Sequence, residues 1–269
     1  MGTFHGRMLL IGCGNMGGAM LAGWLRGGIA ADVFTVVDPY VESVPDGVRL
    51  LRTMPQETFD VVQLAIKPQG LVSAVPDIEP VLGPDTLVLS LLAGVELSTL
   101  AECFPRAEGI VRLMPNLSAA LGKSPVALAG NGLAADRTAM VDALIAPLGQ
   151  GEWIEEESFD LVTALAGSGP AFVYRFIDAL GTAAAELGLP EEQAHRLALA
   201  TVDGAAALAA ISEHSPGELA RRVASPGGVT EAGLRTLDLH GSLVGLVTDT
   251  LRDAARRSAE MAAQARKQS

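Results

Sequence analysis

Two short stretches hold the residue types best suited to chemistry, and each is a glycine turn that opens a helix. The first is Gly12-Cys13-Gly14-Asn15-Met16-Gly17, which follows the apolar run Leu9-Leu10-Ile11. In a strand-turn-helix corner Gly12 permits the tight turn, Gly14 lets a pyrophosphate approach the backbone, and Gly17 brings the helix close to the sheet. Free N–H groups and the positive end of the helix at residues 14–17 then make an anion site. A GxGxxG pattern alone is common. Here an apolar run precedes it, Met16, Met20, Leu21 and Trp24 follow at helical spacing, and Phe34-Thr35-Val36-Val37-Asp38 reads as the next strand. The second stretch is Ser225-Pro226-Gly227-Gly228-Val229-Thr230. Its N–H groups could hold a carboxylate, and Thr230 adds a hydroxyl able to donate or accept. By itself, Ser-Pro-Gly-Gly is simply a loop.

The elements around these turns extend the same design. Asp38 falls at the tip of the second strand, where a carboxylate can accept from an adenosine ribose 2′-OH and 3′-OH while repelling a 2′-phosphate. That expects NADH over NADPH; the plainer alternative is a turn residue before Pro39. The buried run 59–66 stops at Lys67-Pro68, so Ala65, Lys67 and Pro68 sit where an open parallel sheet binds ligands, with backbone contacts expected more than the ammonium. Strands are expected at 7–11, 33–37, 59–66, 86–92, 109–113, 124–128 and 152–155, and helices at 15–26, 97–103 and 137–148. Residues 45–57 read as a loop with a short helix. Alternating strands and helices imply a doubly wound, mostly parallel α/β sheet.

After Ser158 the strand pattern vanishes, and helices are expected at 160–166, 170–187, 190–212 and 243–268, with shorter ones ending at 224 and 237. The chain therefore divides into a Rossmann domain, 1–156, and an all-α domain, 157–269. The segment 197–211 is apolar on more than one face, which suggests burial against a second subunit, with a crowded monomer core as the simpler alternative.

Composition bounds the rest. With 49% hydrophobic and 19% charged residues the chain is globular, and a formal charge of -12 argues against nucleic acid. Cys13 and Cys103 make neither a disulfide framework nor a metal spacing, so a reducing cytoplasm is expected. Residues 1–7 carry no signal-peptide pattern, and no membrane span is expected. His5, His195, His214 and His240 lie in separate segments and call for no catalytic role.

Taken together, several segments resemble the pyrroline-5-carboxylate reductases: Ile11 to Gly17, Ala65-Ile66-Lys67-Pro68, Ser90 to Val95, Met114-Pro115-Asn116, Gly167-Ser168-Gly169-Pro170-Ala171 and Ser225 to Thr230. The last two are specific to that family, and the order covers nearly the whole chain. The resemblance implies reduction of a cyclic imine, (S)-1-pyrroline-5-carboxylate, to L-proline by NADPH or NADH, without metal. It also implies a helical domain that intertwines with its mate in a homodimer or a larger assembly of dimers. It assigns Gly12, Cys13, Gly14, Asn15, Met16, Gly17, Ala65, Lys67, Pro68, Ala93, Gly94 and Asn116 to the cofactor; the strand-tip spacing adds Asp38, where many relatives have a small or hydroxyl residue. Ser225, Gly227, Gly228, Val229 and Thr230 would hold the substrate carboxylate, Thr230 would also hydrogen-bond the ring nitrogen as the catalytic residue, and Glu213 is a further substrate-side candidate.

The chain departs from the family pattern at Leu117-Ser118, where Thr-Pro is usual, and at Ala220-Arg221, where Lys-Asp is frequent. Gln56 lies near a position that often holds Asn, and Leu239 to Leu243 lacks a common Phe-Arg. Alternatives are another imine reductase, a β-hydroxyacid-type dehydrogenase, or a cofactor-binding paralogue acting as a sensing or assembly module. A β-hydroxyacid dehydrogenase usually needs a lysine on its first long interdomain helix, and none lies between Gly167 and Ser212.

Overall fold

The computed structural model describes residues 4–266. In chain order the first part comprises β1 (Met8–Ile11), α1 (Asn15–Arg26), β2 (Phe34–Val37), β3 (Arg49–Leu51), β4 (Phe59–Leu64), α2 (Leu71–Ile78), β5 (Leu82–Ser90), α3 (Leu97–Cys103), β6 (Gly109–Met114), β7 (Ser124–Gly130), α4 (Ala135–Ile145) and β8 (Gly149–Trp153). The strands form one sheet of order β3-β2-β1-β4-β5-β6-β7-β8. All neighbours pair parallel except β6 and β7. The chain steps outward from β1 through β2 to β3 and then crosses back to β4, so the order reverses between β1 and β4. Ligands of doubly wound sheets lie at that switch, outside the carboxyl ends of the strands.

Register makes those ends level: Ile11 pairs with Val37 on one side and Leu64 on the other, and Leu64 pairs with Ser90. Alternate residues of β1 feed opposite faces. Met8 and Leu10 join Trp24, Phe34 and Val36 on one side, while Leu9 and Ile11 join Val62, Leu64 and Ile78 on the other. Burial on both faces explains why these strands read as unbroken apolar runs.

Helix α1 is pinned at its far end, which fixes the turn it starts from. The Trp24 ring stacks on Phe34 at 5.6 Å between centroids, and its Nε1 donates to the Leu144 carbonyl at 2.6 Å. At Gly23 a Cβ would stand 2.3 Å from the Ala119 carbonyl oxygen, so the helix lies directly against the short turn at Leu117–Leu121. Arg26 completes the anchor by donating to the Ala120 and Pro147 carbonyls.

The second part holds α5 (Phe159–Val162), a π-turn at Thr163–Gly167, α6 (Gly169–Glu186), α7 (Glu191–Ile211), α8 (Pro216–Val223), α9 (Val229–Asp238) and α10 (Ser242–Arg266). By contact the chain forms two compact units, one running to Ser168 and including the residues from Asp253 onward, the other Gly169–Arg252. The expected division at 156 and 157 falls between the end of the last strand at Trp153 and this boundary at Ser168. The sheet unit extends further because Phe159 is buried beside Leu97 and Ala129, under the Arg112 guanidinium at 4.0 Å. Within the same unit the Ser258 hydroxyl donates to Asp160 Oδ1 at 2.6 Å.

Several boundaries differ from expectation for local reasons. Residues 49–51 form a strand beside β2 instead of part of a loop with a short helix; three residues are too few to show a two-residue period. Helix α2 carries Pro76 inside it, which masked its pattern. The last strand starts at Gly149, earlier than residue 152, because Gly149 lies flat on β7: a Cβ there would meet the Ser124 oxygen at 2.1 Å. The helix expected at 160–166 widens into the π-turn, and residues 267 and 268 of the expected last helix lie outside the described residues. Helix α7 spans 21 residues with a window of mean hydropathy 1.2, long and apolar enough to cross a bilayer by length and composition alone. Glu191, Glu192 and Arg196 lie near its start and Asp203 in its middle, and the rest is rich in alanine.

Candidate active site

The loops at the strand tips begin as continuations of the sheet. Gly12 N–H donates to the Val37 carbonyl at 2.9 Å, Ala65 N–H to Ile11 at 2.8 Å and Leu91 N–H to Leu64 at 2.9 Å. Gly12 then takes φ +93°, and a Cβ there would lie 2.7 Å from the Ala65 carbonyl oxygen. A Cβ on Gly17 would lie 2.6 Å from the Gly12 oxygen. Gly14 is the opposite case, exposed and with nothing within 4 Å of a Cβ. The first bond of the helix is Gly18 N–H to the Gly14 carbonyl at 2.8 Å, and no side chain caps the end. The N–H groups of Gly14, Asn15, Met16 and Gly17 thus precede the helical ladder on an open side, a cradle that fits a phosphate.

Asp38 closes the cradle's flank. Its Oδ2 accepts from Cys13 N–H at 2.8 Å, and its Oδ1 accepts from Tyr40 N–H at 2.8 Å and Val41 N–H at 3.0 Å. Burial, with 8% exposure, pushes its carboxyl upward, but these three donors and the nearby Arg52 charge outweigh that and hold it below the usual carboxylate range. Of roughly four acceptor positions on a carboxylate, three are taken, which leaves room for one ribose hydroxyl rather than two. Cys13 is buried, and burial followed by the Asp38 charge pushes its thiol up, so it is no nucleophile.

The other expected cofactor positions lie along the same edge. Ala65 is half-buried, Lys67 is exposed and Pro68 begins a short turn at Pro68–Gly70. Ala93 is exposed, and Gly94 takes φ +75° with its Cα against α10, where a Cβ would stand 2.8 Å from Ala262 Cα. Asn116 is buried and committed to the fold: Oδ1 accepts from Ser118 N–H at 2.9 Å, and Nδ2 donates to the Ala166 carbonyl at 2.9 Å. One amide N–H remains. Asn116 thus caps the turn that α1 packs on, and Ser118, where the family usually has a proline without an N–H, supplies the donor. Among the described residues no group of His, Cys, Asp and Glu could hold a metal ion.

The turn 225–230 belongs to the helical unit. Gly227 takes φ +70°, and Gly228 N–H donates to the Ser225 carbonyl at 2.9 Å. Gly228 then starts α9, whose first turn contains exposed Val229 and half-buried Thr230. Glu231, a residue that sequence reasoning misses, accepts from Gly227 N–H at its Oε2 at 2.7 Å. Glutamate at the third helical position is the signal for such a cap. Glu213 is exposed in the break before α8. Arg52 and Tyr40 were likewise unmarked, Arg52 because it follows a strand that the sequence hid.

A sheet with this order, a glycine cradle at the switch and an acid at the neighbouring tip defines a dinucleotide-binding protein of the Rossmann class. Comparison with known proteins narrows the class. Residues 156–261 match the family described as pyrroline-5-carboxylate reductase dimerisation. Over 267 residues the chain is 34% identical to the pyrroline-5-carboxylate reductase of Pseudomonas aeruginosa, covering 96% of this chain and 97% of that one. A solved pyrroline-5-carboxylate reductase of Coxiella burnetii superposes with TM-score 0.89 at 29% identity, over 96% of this chain and 98% of the other. The Plasmodium falciparum pyrroline carboxylate reductase, solved with NADP bound, gives TM-score 0.82 at 25% identity, over 97% and 100%. The chain belongs to the pyrroline-5-carboxylate reductase family.

Proposed function

We propose that the protein reduces (S)-1-pyrroline-5-carboxylate to L-proline with hydride from a reduced nicotinamide dinucleotide. The observation that carries this reading is 34% identity to a reductase of that name along 96% of the chain, with both glycine turns intact. When bound, the reduced nicotinamide supplies hydride to the C=N carbon. A protonated imine is already an electrophile, so neither a metal nor a covalent nucleophile is called for.

The chain's own task is to bind and orient. Gly12 to Gly17 take the pyrophosphate on their N–H groups, with Asp38 beside the adenosine ribose. Ala65, Lys67, Pro68, Ala93, Gly94 and Asn116 are assigned to the remainder of the cofactor. Ser225 and Gly227 to Thr230 hold the substrate carboxylate, and the Thr230 hydroxyl holds a proton at the ring nitrogen. Glu213 is a second acid assigned to the substrate side. Holding the ring at attack distance is worth about 7 kcal/mol or more of the barrier.

Three finer assignments follow from the same reading. Asp38 favours NADH, because its charge repels a 2′-phosphate even though it can accept only one ribose hydroxyl. The helical unit is a homodimer surface: Tyr174, Phe176, Leu197, Leu199, Leu208, Val244 and Leu246 are all at least half exposed. Such a patch belongs against a second copy, which also accounts for the membrane-like length of α7. A reducing cytoplasm suits two free cysteines.

The test is a steady-state assay of pyrroline-5-carboxylate reduction with NADH and with NADPH, alongside light scattering. Turnover with a dimer or larger species supports the reading. Cofactor binding without turnover of pyrroline-5-carboxylate, or of proline in reverse, rejects it.

A further inference from the structure

The turn after β2 is held more firmly than the phosphate cradle requires. From inside, Asp38 gathers the N–H groups of Tyr40 and Val41. From outside, Arg52 Nη1 donates to the carbonyls of Asp38 at 2.8 Å and Val41 at 2.5 Å, and Nη2 reaches the Glu42 carbonyl at 3.5 Å. Cys13 N–H ties the whole turn to the glycine loop through Asp38 Oδ2. What this braced turn presents is Tyr40, 90% exposed. Among the described residues its ring stacks on no other ring and its hydroxyl makes no hydrogen bond.

We propose that Tyr40 is the stacking face for the adenine ring of the dinucleotide, and that Arg52 is the positioning residue that holds it there. The inference rests on the cofactor assignment above. With the pyrophosphate on residues 14–17 and the ribose at Asp38, the base must continue past Asp38, and Tyr40 stands two residues further along the same turn. An aromatic ring on a rigid turn offers any purine a face with little ordering entropy left to lose.

Calorimetric titration of NADH, ADP and nicotinamide mononucleotide separates this from its premise. Tyr40→Ala weakens NADH and ADP by a shared factor of about tenfold, the usual scale for losing one stacked base, and leaves the mononucleotide alone. Tyr40→Phe keeps wild-type affinity, since the ring and not the hydroxyl carries the contact. Arg52→Ala weakens ADP in the wild-type background and has no further effect in Tyr40→Ala, which a merely structural role would not produce. Unchanged NADH and ADP affinity in Tyr40→Ala overturns the inference and leaves the cofactor assignment standing. Wild-type protein that binds none of the three ligands overturns both.

Discussion

The two glycine turns look alike in sequence and are built in opposite ways. The turn at 12–17 is welded into the sheet: Gly12 and Gly17 each lie within 3 Å of backbone where a Cβ would stand, and Cys13 is hydrogen-bonded to the neighbouring strand tip. The turn at 225–230 stands in the open. Nothing lies within 4 Å of a Cβ on Gly227, Val229 is 93% exposed, and the contacts that shape the turn are its own Ser225 and Glu231. On the proposed assignment, the cofactor cradle is preorganised by the core, and the substrate cradle on a helix end takes its shape from local bonds, including one to an internal carboxylate.

Alanine in each turn gives the widest separation. Gly12→Ala combines φ +93° with a backbone clash and is expected to cost several kcal/mol and abolish NADH binding. Gly227→Ala meets only the left-handed backbone term, about 1–2 kcal/mol, and leaves NADH binding unchanged. Thermal melts and calorimetry on both variants check this; equal losses would erase the contrast.

Next in size is Asp38→Asn, which removes the charge that faces a 2′-phosphate and weakens three charge-assisted bonds. The ratio of NADH to NADPH in kcat/KM is expected to fall by about tenfold or more. An unchanged ratio would leave the preference to other residues.

The pH dependence of that preference sharpens the same point. The folded carboxyl of Asp38 lies below its ordinary value, so the stability it contributes is complete above about pH 4 and is lost only as pH falls through the lower folded value. Asp38 therefore stays ionised between about pH 5 and pH 8, and the calorimetric Kd for NADH, which carries no 2′-phosphate, is flat across that window. The 2′-phosphate of NADPH, in contrast, takes its second charge at about pH 6 and makes the preference itself titrate. An NADH affinity that titrates in that window would contradict the bonding described for Asp38.

The smallest effect belongs to Glu231→Ala. It removes the bond to Gly227 N–H at a solvent-exposed helix end, at a cost of about 1 kcal/mol, visible as a lower melting temperature with NADH affinity intact. A larger loss would mean that the second turn is braced by more than its own residues.

Much of the sheet unit was legible because its signals are local and repeated. Helices 15–26 and 97–103 have the boundaries their patterns predict, and the glycine loop sits between β1 and α1 as expected. What was not legible depends on distant partners. Strand β3 is three residues long and exists only because β2 pairs with it; losing it also hid Arg52. Asn116 resembled a cofactor contact, but most of its amide is spent on Ser118 and Ala166, a carbonyl fifty residues away in a π-turn that no periodicity announces. Asp38 was marked for its charge. That it would spend three acceptor positions inside the protein follows from how the β1 and β2 tips meet, which no linear spacing encodes.

The claim that one turn serves the cofactor and the other the substrate is tested most directly by Thr230→Ala. The account predicts that kcat for pyrroline-5-carboxylate reduction falls by about a hundredfold or more while the calorimetric Kd for NADH stays at the wild-type value. A variant that keeps wild-type kcat, or one that loses NADH affinity along with it, would contradict the division of labour between the two turns.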